Sequence, residues 1–481
     1  MPHDDRSSRT HPTSVQDIED LIGKYRIDPE GLKPPLTSKV RGSSDGEVVL
    51  VTGTTGSLGA YVLAYLLDNP QVIRVYAFNR PGIKAKSHLE RHIQSFSDAG
   101  LNLETLNDSR LTFVEGNLET ELDDRFGIDQ SVYDEMHQTV TTIIHLAWPV
   151  TMKWELSKFE PSIKAACNLM KFGLTTPSSY ANRQETGLNV DQRDAEILMA
   201  PKRLPLSPVK FIFSSSILTA MSWTKTTTFP EEVQANPVYA LGLGYGEAKY
   251  VVQRILQETP LNSTSLLMGQ LCGSRVNGSW VADHWFPRLV TRWLPIDIAA
   301  WHLTELAMCP KSRKERYPQS ITMLNPRPTP LEGHVRLTIE ALHKQKLVSY
   351  ATIDADAMVP PSVWLERFSE GFRKINSGRN AKELKLIAPV YEELYSTAST
   401  LIIRRARLRV GGAQTTSLDS QREVGFFGPF EMENIYQWSP TFREIQAISV
   451  EDIEGWILYW KKKGLFVGVS KDGGQMIRSK L

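Results

Sequence analysis

The chain has 481 residues, more than one compact hydrophobic core usually takes, so two domains are expected. Fifty-five lysines and arginines balance 54 acidic residues to a formal net charge of +1, which gives no support for a nucleic-acid or polybasic membrane surface. Cys167, Cys272 and Cys309 lie far apart with no CxxC pairing, so neither a disulfide framework nor a metal site is expected and a reducing, cytoplasmic setting fits.

Residues 1–44 are polar, with Pro34 and Pro35 near their end, and read as a tail and linker carrying one short helix, Val15 to Tyr25. The opening MPHDDRSSRTHPTS lacks the apolar core of a signal peptide, and no apolar run in the chain approaches membrane-spanning length.

From residue 45 the pattern alternates strand and helix. Glu47 to Val51 is a short β-branched run typical of a buried parallel strand, and Ala60 to Leu67 continues as helix. Between them lies Thr52-Gly53-Thr54-Thr55-Gly56-Ser57-Leu58-Gly59. A glycine turn joining a strand to a helix N-terminus makes a pyrophosphate cradle: glycine allows close backbone approach, and the first helical N–H groups hold the anion. Further strands are expected at Val72 to Phe78, Leu111 to Glu115, Thr142 to Leu146, Val209 to Ser214 and Thr264 to Leu271, with helices at Phe159 to Phe172 and Tyr245 to Gln257. Residues 175–208 exceed an ordinary connection and read as a surface insertion. After about 300 the alternation stops, and helical patterns follow at Leu331 to Lys344, Val363 to Ile375, Lys382 to Leu401 and Val450 to Lys463. The expected fold is α/β: a Rossmann-type doubly wound parallel sheet over 45–300, then a mostly helical substrate-binding region over 301–481.

The end of the second strand selects the cofactor. A carboxylate there grips a ribose 2′-hydroxyl, whereas arginine accommodates a 2′-phosphate. Here the strand ends Tyr76-Ala77-Phe78-Asn79-Arg80, with no acid before Pro81, which points to NADPH held by Arg80. Arg91, on the next helix, is a candidate for the other half of a phosphate clamp.

Tyr245 and Lys249 stand four apart, on one face of a helix. A lysine ammonium beside the phenol favours phenolate, so the tyrosine can exchange a proton with a carbonyl oxygen, and the lysine can also hold the nicotinamide ribose. A second YxxxK, Tyr459 to Lys463, has no strand register around it and is assigned to structure and solvent. The fifth strand runs into Ser214-Ser215-Ser216; Ser216 is the best-placed hydroxyl for a substrate oxygen at the carboxyl edge of the sheet, and Ser215 is the runner-up. His145 and Trp148 are read as packing of the cofactor pocket, and Cys272 as a small buried residue.

In combination these residues resemble the extended, atypical short-chain dehydrogenases/reductases. Within that group, Thr142 to Leu169, Gly244 to Lys249, Met268 to Gly273, Trp293 to Ala300 and Ile453 to Leu465 are similar to the thioester reductase domains of fungal synthetase-like proteins, aminoadipate reductases and carboxylic acid reductases. The likeness runs from about 45 to the C-terminus, and Val15 to Tyr25 looks like the linker before such domains. It implies that Gly53, Thr55, Gly56, Ser57, Leu58 and Gly59 form the phosphate loop, Arg80 meets the 2′-phosphate, Ala147 lines the cofactor wall and Lys249 holds the ribose. Ser216 and Tyr245 would stabilise the oxyanion as an acyl thioester on a carrier's phosphopantetheine arm is reduced to aldehyde or alcohol.

The departures are Asn117, before Leu118, where the family has aspartate beside the adenine, and a short Trp285 to Trp293 segment. No adenylation or carrier motif is visible upstream, so a carrier acting in trans is the expected partner. Two other functions compete: reduction of a free aldehyde or ketone, with the same catalytic set, and nucleotide binding without turnover.

Overall fold

A computed structural model of the chain describes residues 13–32, 46–82, 87–120, 122–152, 154–177, 179, 209–223, 225, 227–280, 292–310, 315–329, 331–347 and 429–464. These fall into two compact units, the first within Met1–Leu271, Leu294–Leu324 and Phe430–Ile445, the second within Cys272–Trp293, Asn325–Pro429 and Gln446–Leu481.

The first unit is a parallel sheet of seven strands: β1 (Glu47–Thr52), β2 (Val72–Asn79), β3 (Leu111–Glu115), β4 (Thr142–His145), β5 (Lys210–Ser216), β6 (Asn262–Met268) and β7 (Ser320–Met323). Their spatial order is 3-2-1-4-5-6-7, a doubly wound Rossmann-type arrangement whose order reverses between β1 and β4. Helices α1 (Val15–Tyr25), α2 (Ser57–Asp68), α3 (His88–Ala99), α4 (Gln130–Thr139), α5 (Glu160–Thr175), α6 (Gly244–Gln257) and α7 (Ile296–Met308) accompany it. Strands β1 and β6 are buried at every position, as a central parallel strand covered on both faces must be. At the amino edge, Glu47 and Lys210 form a buried ion pair at 3.0 Å. The Thr141 and Thr142 hydroxyls donate to the Glu47 carboxylate at 2.6 and 3.0 Å, satisfying a charge that burial alone would penalise.

Several elements differ from the expected ones. The fourth strand stops at His145, because the N–H groups of Leu146 and Ala147 turn back to the Thr52 hydroxyl. The fifth continues through Ser216, and the sixth begins at Asn262 and ends at Met268. Alternation does not stop near 300: α7 and β7 add another helix and strand. Ser-Ile-Thr-Met is too short and too mixed to stand out as an apolar run, and only pairing with β6 makes it a strand. Residues 430–445 return to the same unit: α9 (Glu433–Trp438), following α8 (Leu331–Lys344) of the second unit, is joined to β7 by Glu231, whose carboxylate accepts from Thr322 N at 2.7 Å and Asn434 N at 2.6 Å.

The second unit contains α8 and α10 (Val450–Lys462) around buried Trp280, Trp293, Trp456 and Trp460. The second YxxxK lies here, with Tyr459 packed against this cluster and Lys463 exposed. The helices expected at Val363 to Ile375 and Lys382 to Leu401 lie outside the described residues, as do 181–208 and 281–291. Among the described residues no helix is long and apolar enough to cross a membrane.

Candidate functional site

The site is built at the carboxyl edge, beside the reversal of strand order. Gly53 follows β1 with φ +77°, a left-handed conformation, and a side chain there would put its Cβ 2.8 Å from Ala147 N. Gly59 sits in the first turns of α2, where a Cβ would fall 2.1 Å from the Gly53 carbonyl oxygen. Helix and loop are therefore in backbone contact that only glycine permits. Gly56 caps α2 without any side-chain hydrogen bond, so the N–H groups of the turn starting at Ser57 and Leu58 keep their capacity for an anion. Ala147, against Gly53, is fixed by its N–H to the Thr52 hydroxyl at 3.1 Å.

A buried relay holds the outer side of this loop. Asn79, the last residue of β2, donates from Nδ2 to Thr54 Oγ1 at 2.6 Å. His92 Nδ1 donates to the His88 carbonyl at 2.7 Å, which leaves Nε2 to accept from the Thr54 hydroxyl at 2.8 Å. Burial holds the His92 pKa down at about 4, so the ring stays neutral and the relay keeps one direction. Thr55 reaches the same asparagine from N and Oγ1, both 3.4 Å from Asn79 Oδ1.

Arg80 is exposed, and among the described residues its guanidinium has no hydrogen-bond or ion-pair partner. Arg91 differs: its Nη2 donates to the Arg80 carbonyl at 2.7 Å and to Glu115 Oε1 at 2.8 Å. The structure thus engages Arg91 with a carboxylate at the end of β3. Asn117 shapes the next turn, accepting from Glu119 N at 3.0 Å through Oδ1. The carbonyl of Leu118 is held by buried Asn168 at 2.8 Å.

At the reacting end, the three serines of β5 have three different partners. The Ser214 carbonyl accepts from Lys249 Nζ, buried Ser215 Oγ accepts from Gln253 Nε2 at 2.7 Å, and Ser216 Oγ accepts from Leu218 N at 3.2 Å. Accepting one N–H leaves the Ser216 proton available to donate. Ser215 is tied to α6, so the strand alternation separates the structural hydroxyl from the one at the edge. Two glycines let α6 approach: a Cβ on Gly246 would stand 2.4 Å from the Leu218 carbonyl, and one on Gly244 2.4 Å from that of Trp154. Tyr245 lies between them, its ring edge-on to Phe159 at 6.0 Å.

Lys249 is 1% exposed. Its Nζ stands 4.1 Å from the Trp148 ring centre, 4.6 Å from Phe213 and 5.7 Å from Tyr245. Burial drives its pKa well below the usual lysine value, so its charge depends on these ring faces and on the Ser214 carbonyl. Its enclosure sets Lys249 apart from the solvated ammonium expected from the YxxxK pattern.

His145 stacks on Phe213 at 5.8 Å. Thr52 Oγ1 accepts from both Leu146 N and Ala147 N, so its own proton goes to His145 Nδ1 at 2.8 Å. His145 is then the Nε2–H tautomer, held neutral by a pKa that burial lowers to about 3. Among the described residues its Nε2 and Trp148 Nε1 are buried donors without a hydrogen-bond partner. Two such donors next to a loop that a Cβ would fill fit a polar ligand of dinucleotide type. Among the described residues no group of three His, Cys, Asp or Glu side chains could hold a metal ion.

Residues 51–264 match the family described as Male sterility protein, an NAD-binding domain. The chain is 30% identical to the adenylate-forming reductase Nps11 of Serpula lacrymans var. lacrymans, over 94% of this chain and 38% of that protein. It is 28% identical to Nps9 of the same organism, over 96% and 39%. The chain thus spans about two fifths of the length of these relatives. Among solved structures, the terminal R domain from the myxalamid PKS-NRPS pathway superimposes with a TM-score of 0.62 at 14% identity, covering 94% of this chain and 98% of that one. The R domain of a nonribosomal peptide synthetase from Mycobacterium tuberculosis gives 0.56 at 15%, covering 94% and 100%. These structural likenesses show the fold.

Proposed function

We propose, from an NAD-binding domain of the male sterility protein family over residues 51–264, that this protein is an NADPH-dependent thioester reductase. The reaction is R–CO–SR′ + NADPH + H⁺ → R–CHO + R′SH + NADP⁺. Bound cofactor supplies the hydride. The observation that carries the reading is the contact of Gly246 with the Leu218 carbonyl, which brings the first turn of α6, with Tyr245, against the turn that follows Ser216.

Ser216 donates its hydroxyl proton to the carbonyl oxygen, while its lone pair stays on Leu218 N. Tyr245 supplies the second hydrogen bond and the proton as negative charge builds on that oxygen. One such donor contributes ~3–4 kcal/mol of transition-state stabilisation. On collapse the O–H proton returns to the Tyr245 phenolate, the oxygen's electrons re-form the carbonyl, and the C–S bond breaks; the thiolate leaves and takes a proton from solvent, and an aldehyde remains. Lys249 gives its N–H groups to the nicotinamide ribose and, enclosed by Trp148 and Phe213, tunes the phenol from beneath. The glycine loop and the N-terminus of α2 take the pyrophosphate. Arg80 takes the 2′-phosphate, since no carboxylate stands between it and the end of β2. The acyl group arrives on a phosphopantetheinyl carrier, and a second round would give the alcohol. Free cysteines fit a reducing, cytoplasmic setting.

The test is NADPH oxidation by the purified protein with acyl-phosphopantetheine thioesters and a loaded carrier, set beside free aldehydes and ketones. Thioester-dependent oxidation, abolished in Tyr245→Phe, supports the reading. Turnover of free carbonyls alone replaces it with carbonyl reduction, and NADPH binding without turnover on any substrate replaces it with a binding role.

A further inference from the structure

Strands β2 and β3 end side by side, with Asn79 opposite Glu115 in the ladder. One residue beyond Asn79 stands Arg80, exposed and without a partner among the described residues. Arg91 comes to the same strand ends from α3, and the Nη2 that grips the Arg80 carbonyl also meets Glu115 Oε1 at 2.8 Å. His88, on the same face of α3, lies 3.8 Å from the other carboxylate oxygen. The Arg91 guanidinium meets this carboxylate through one nitrogen, and its buried Nε has no partner among the described residues. A bidentate fork, the geometry in which arginine binds an oxyanion best, is therefore unmade.

We propose that Glu115 is a specificity-determining residue of the nucleotide site. By engaging Arg91 it withholds that guanidinium from the adenosine 2′-phosphate and leaves Arg80 to discriminate NADPH from NADH. This rests on the NADPH reading above. A 2′-phosphate and the Glu115 carboxylate are anions competing for one guanidinium, so Arg91 contributes to binding only to the extent that it leaves Glu115. NADH carries no such phosphate and is indifferent to the exchange. Removing the charge but keeping the shape, as in Glu115→Gln, releases Arg91 while its bond to the Arg80 carbonyl persists.

The experiment titrates NADPH and NADH separately into wild type, Glu115→Gln, Arg80→Ala and the double variant Glu115→Gln/Arg91→Met, following nucleotide fluorescence. Glu115→Gln should tighten NADPH about tenfold, the worth of one added charge-assisted contact, with NADH unchanged. The double variant should lose that gain. A ratio of affinities unchanged or lowered in Glu115→Gln, or a gain that survives loss of Arg91, overturns the proposal. Arg80→Ala reports on the underlying reading: wild type with no preference for NADPH, and no change on losing Arg80, overturns the cofactor assignment and the proposal together. A preference that depends on Arg80 but does not respond to Glu115 overturns the proposal alone.

Discussion

Ser215 and Ser216 are adjacent, chemically identical and both nearly buried, at 3% and 8% exposure, yet the account gives them opposite roles. Replacing Ser215 with alanine strips Gln253 Nε2 of its 2.7 Å acceptor inside the core. A buried donor left unmade costs ~1–3 kcal/mol of stability, and the carbonyl-binding edge is untouched. Replacing Ser216 removes only a cap on Leu218 N, worth ~1 kcal/mol. It also removes the proposed oxyanion donor, which should lower kcat by about 10²–10³. The two variants should therefore cross: Ser215→Ala the less stable of the pair with kcat within about threefold of wild type, Ser216→Ala the more stable with the larger kinetic loss. Urea denaturation followed by tryptophan fluorescence gives one axis, and single-turnover NADPH oxidation the other. The reasoning is refuted if Ser216→Ala keeps its kcat, or if activity simply follows stability in both.

Other consequences follow from the same geometry. Gly59→Ala would press a methyl group to 2.1 Å from the Gly53 carbonyl oxygen, backbone against backbone; the loop must open, at a cost of ~1–3 kcal/mol, and NADPH affinity measured by fluorescence titration should fall more than about tenfold. Gly23→Ala is the control, since among the described residues nothing outside its own helix backbone lies within 4 Å of a Cβ there, and it should stabilise α1 by ~0.5–1 kcal/mol on thermal unfolding. Stability should also fall on acidification. Burial holds His92, His137 and His145 at about 4, 4 and 3, so the folded rings stay neutral in a range where the unfolded chain protonates, and their contribution is present above the unfolded value and lost as pH falls. Glu231, raised to about 7 chiefly by burial, acts oppositely: it favours folding at low pH and loses that contribution as pH rises through 7. Near pH 5 the imidazoles dominate, with about two more protons on the unfolded chain and a slope approaching ~2.7 kcal/mol per pH unit. Urea midpoints from pH 4.5 to 7.5 check this, and Glu231→Gln should steepen the fall.

Much of the site was legible because its constraints are local. A β-branched strand, a glycine turn and a helix start occupy neighbouring residues, and Tyr245 and Lys249 share one helix face. What escaped the sequence depends on contacts made at a distance. Nothing in Gln253 marks it as the partner of Ser215, 38 residues away. Asn79 looked like an unremarkable strand end, although it holds Thr54, and through it His92, in a buried relay. The bond from Arg91 to Glu115, 24 residues on, is equally invisible, because nothing in the sequence marks the two as sharing a strand edge. The lysine of the YxxxK pair could be located, but not the rings of Trp148 and Phe213 around its ammonium, which come from β5 and the turn after β4. The most distant case is residues 430–445, which belong with the sheet through Glu231 and Asn434, over 200 residues apart. A pattern of helix and strand carries no information about such a return.

The most direct test of the central claim is the ratio of thiol released to NADPH oxidised in a single turnover with an acyl-phosphopantetheine thioester. Reduction at the thioester carbonyl breaks one C–S bond for the first hydride, so one thiol should appear per NADPH if aldehyde is the product, or one per two NADPH if alcohol is. The same thiol release should vanish in Tyr245→Phe. NADPH consumed with no thiol released would mean that the hydride goes elsewhere, and would contradict the account.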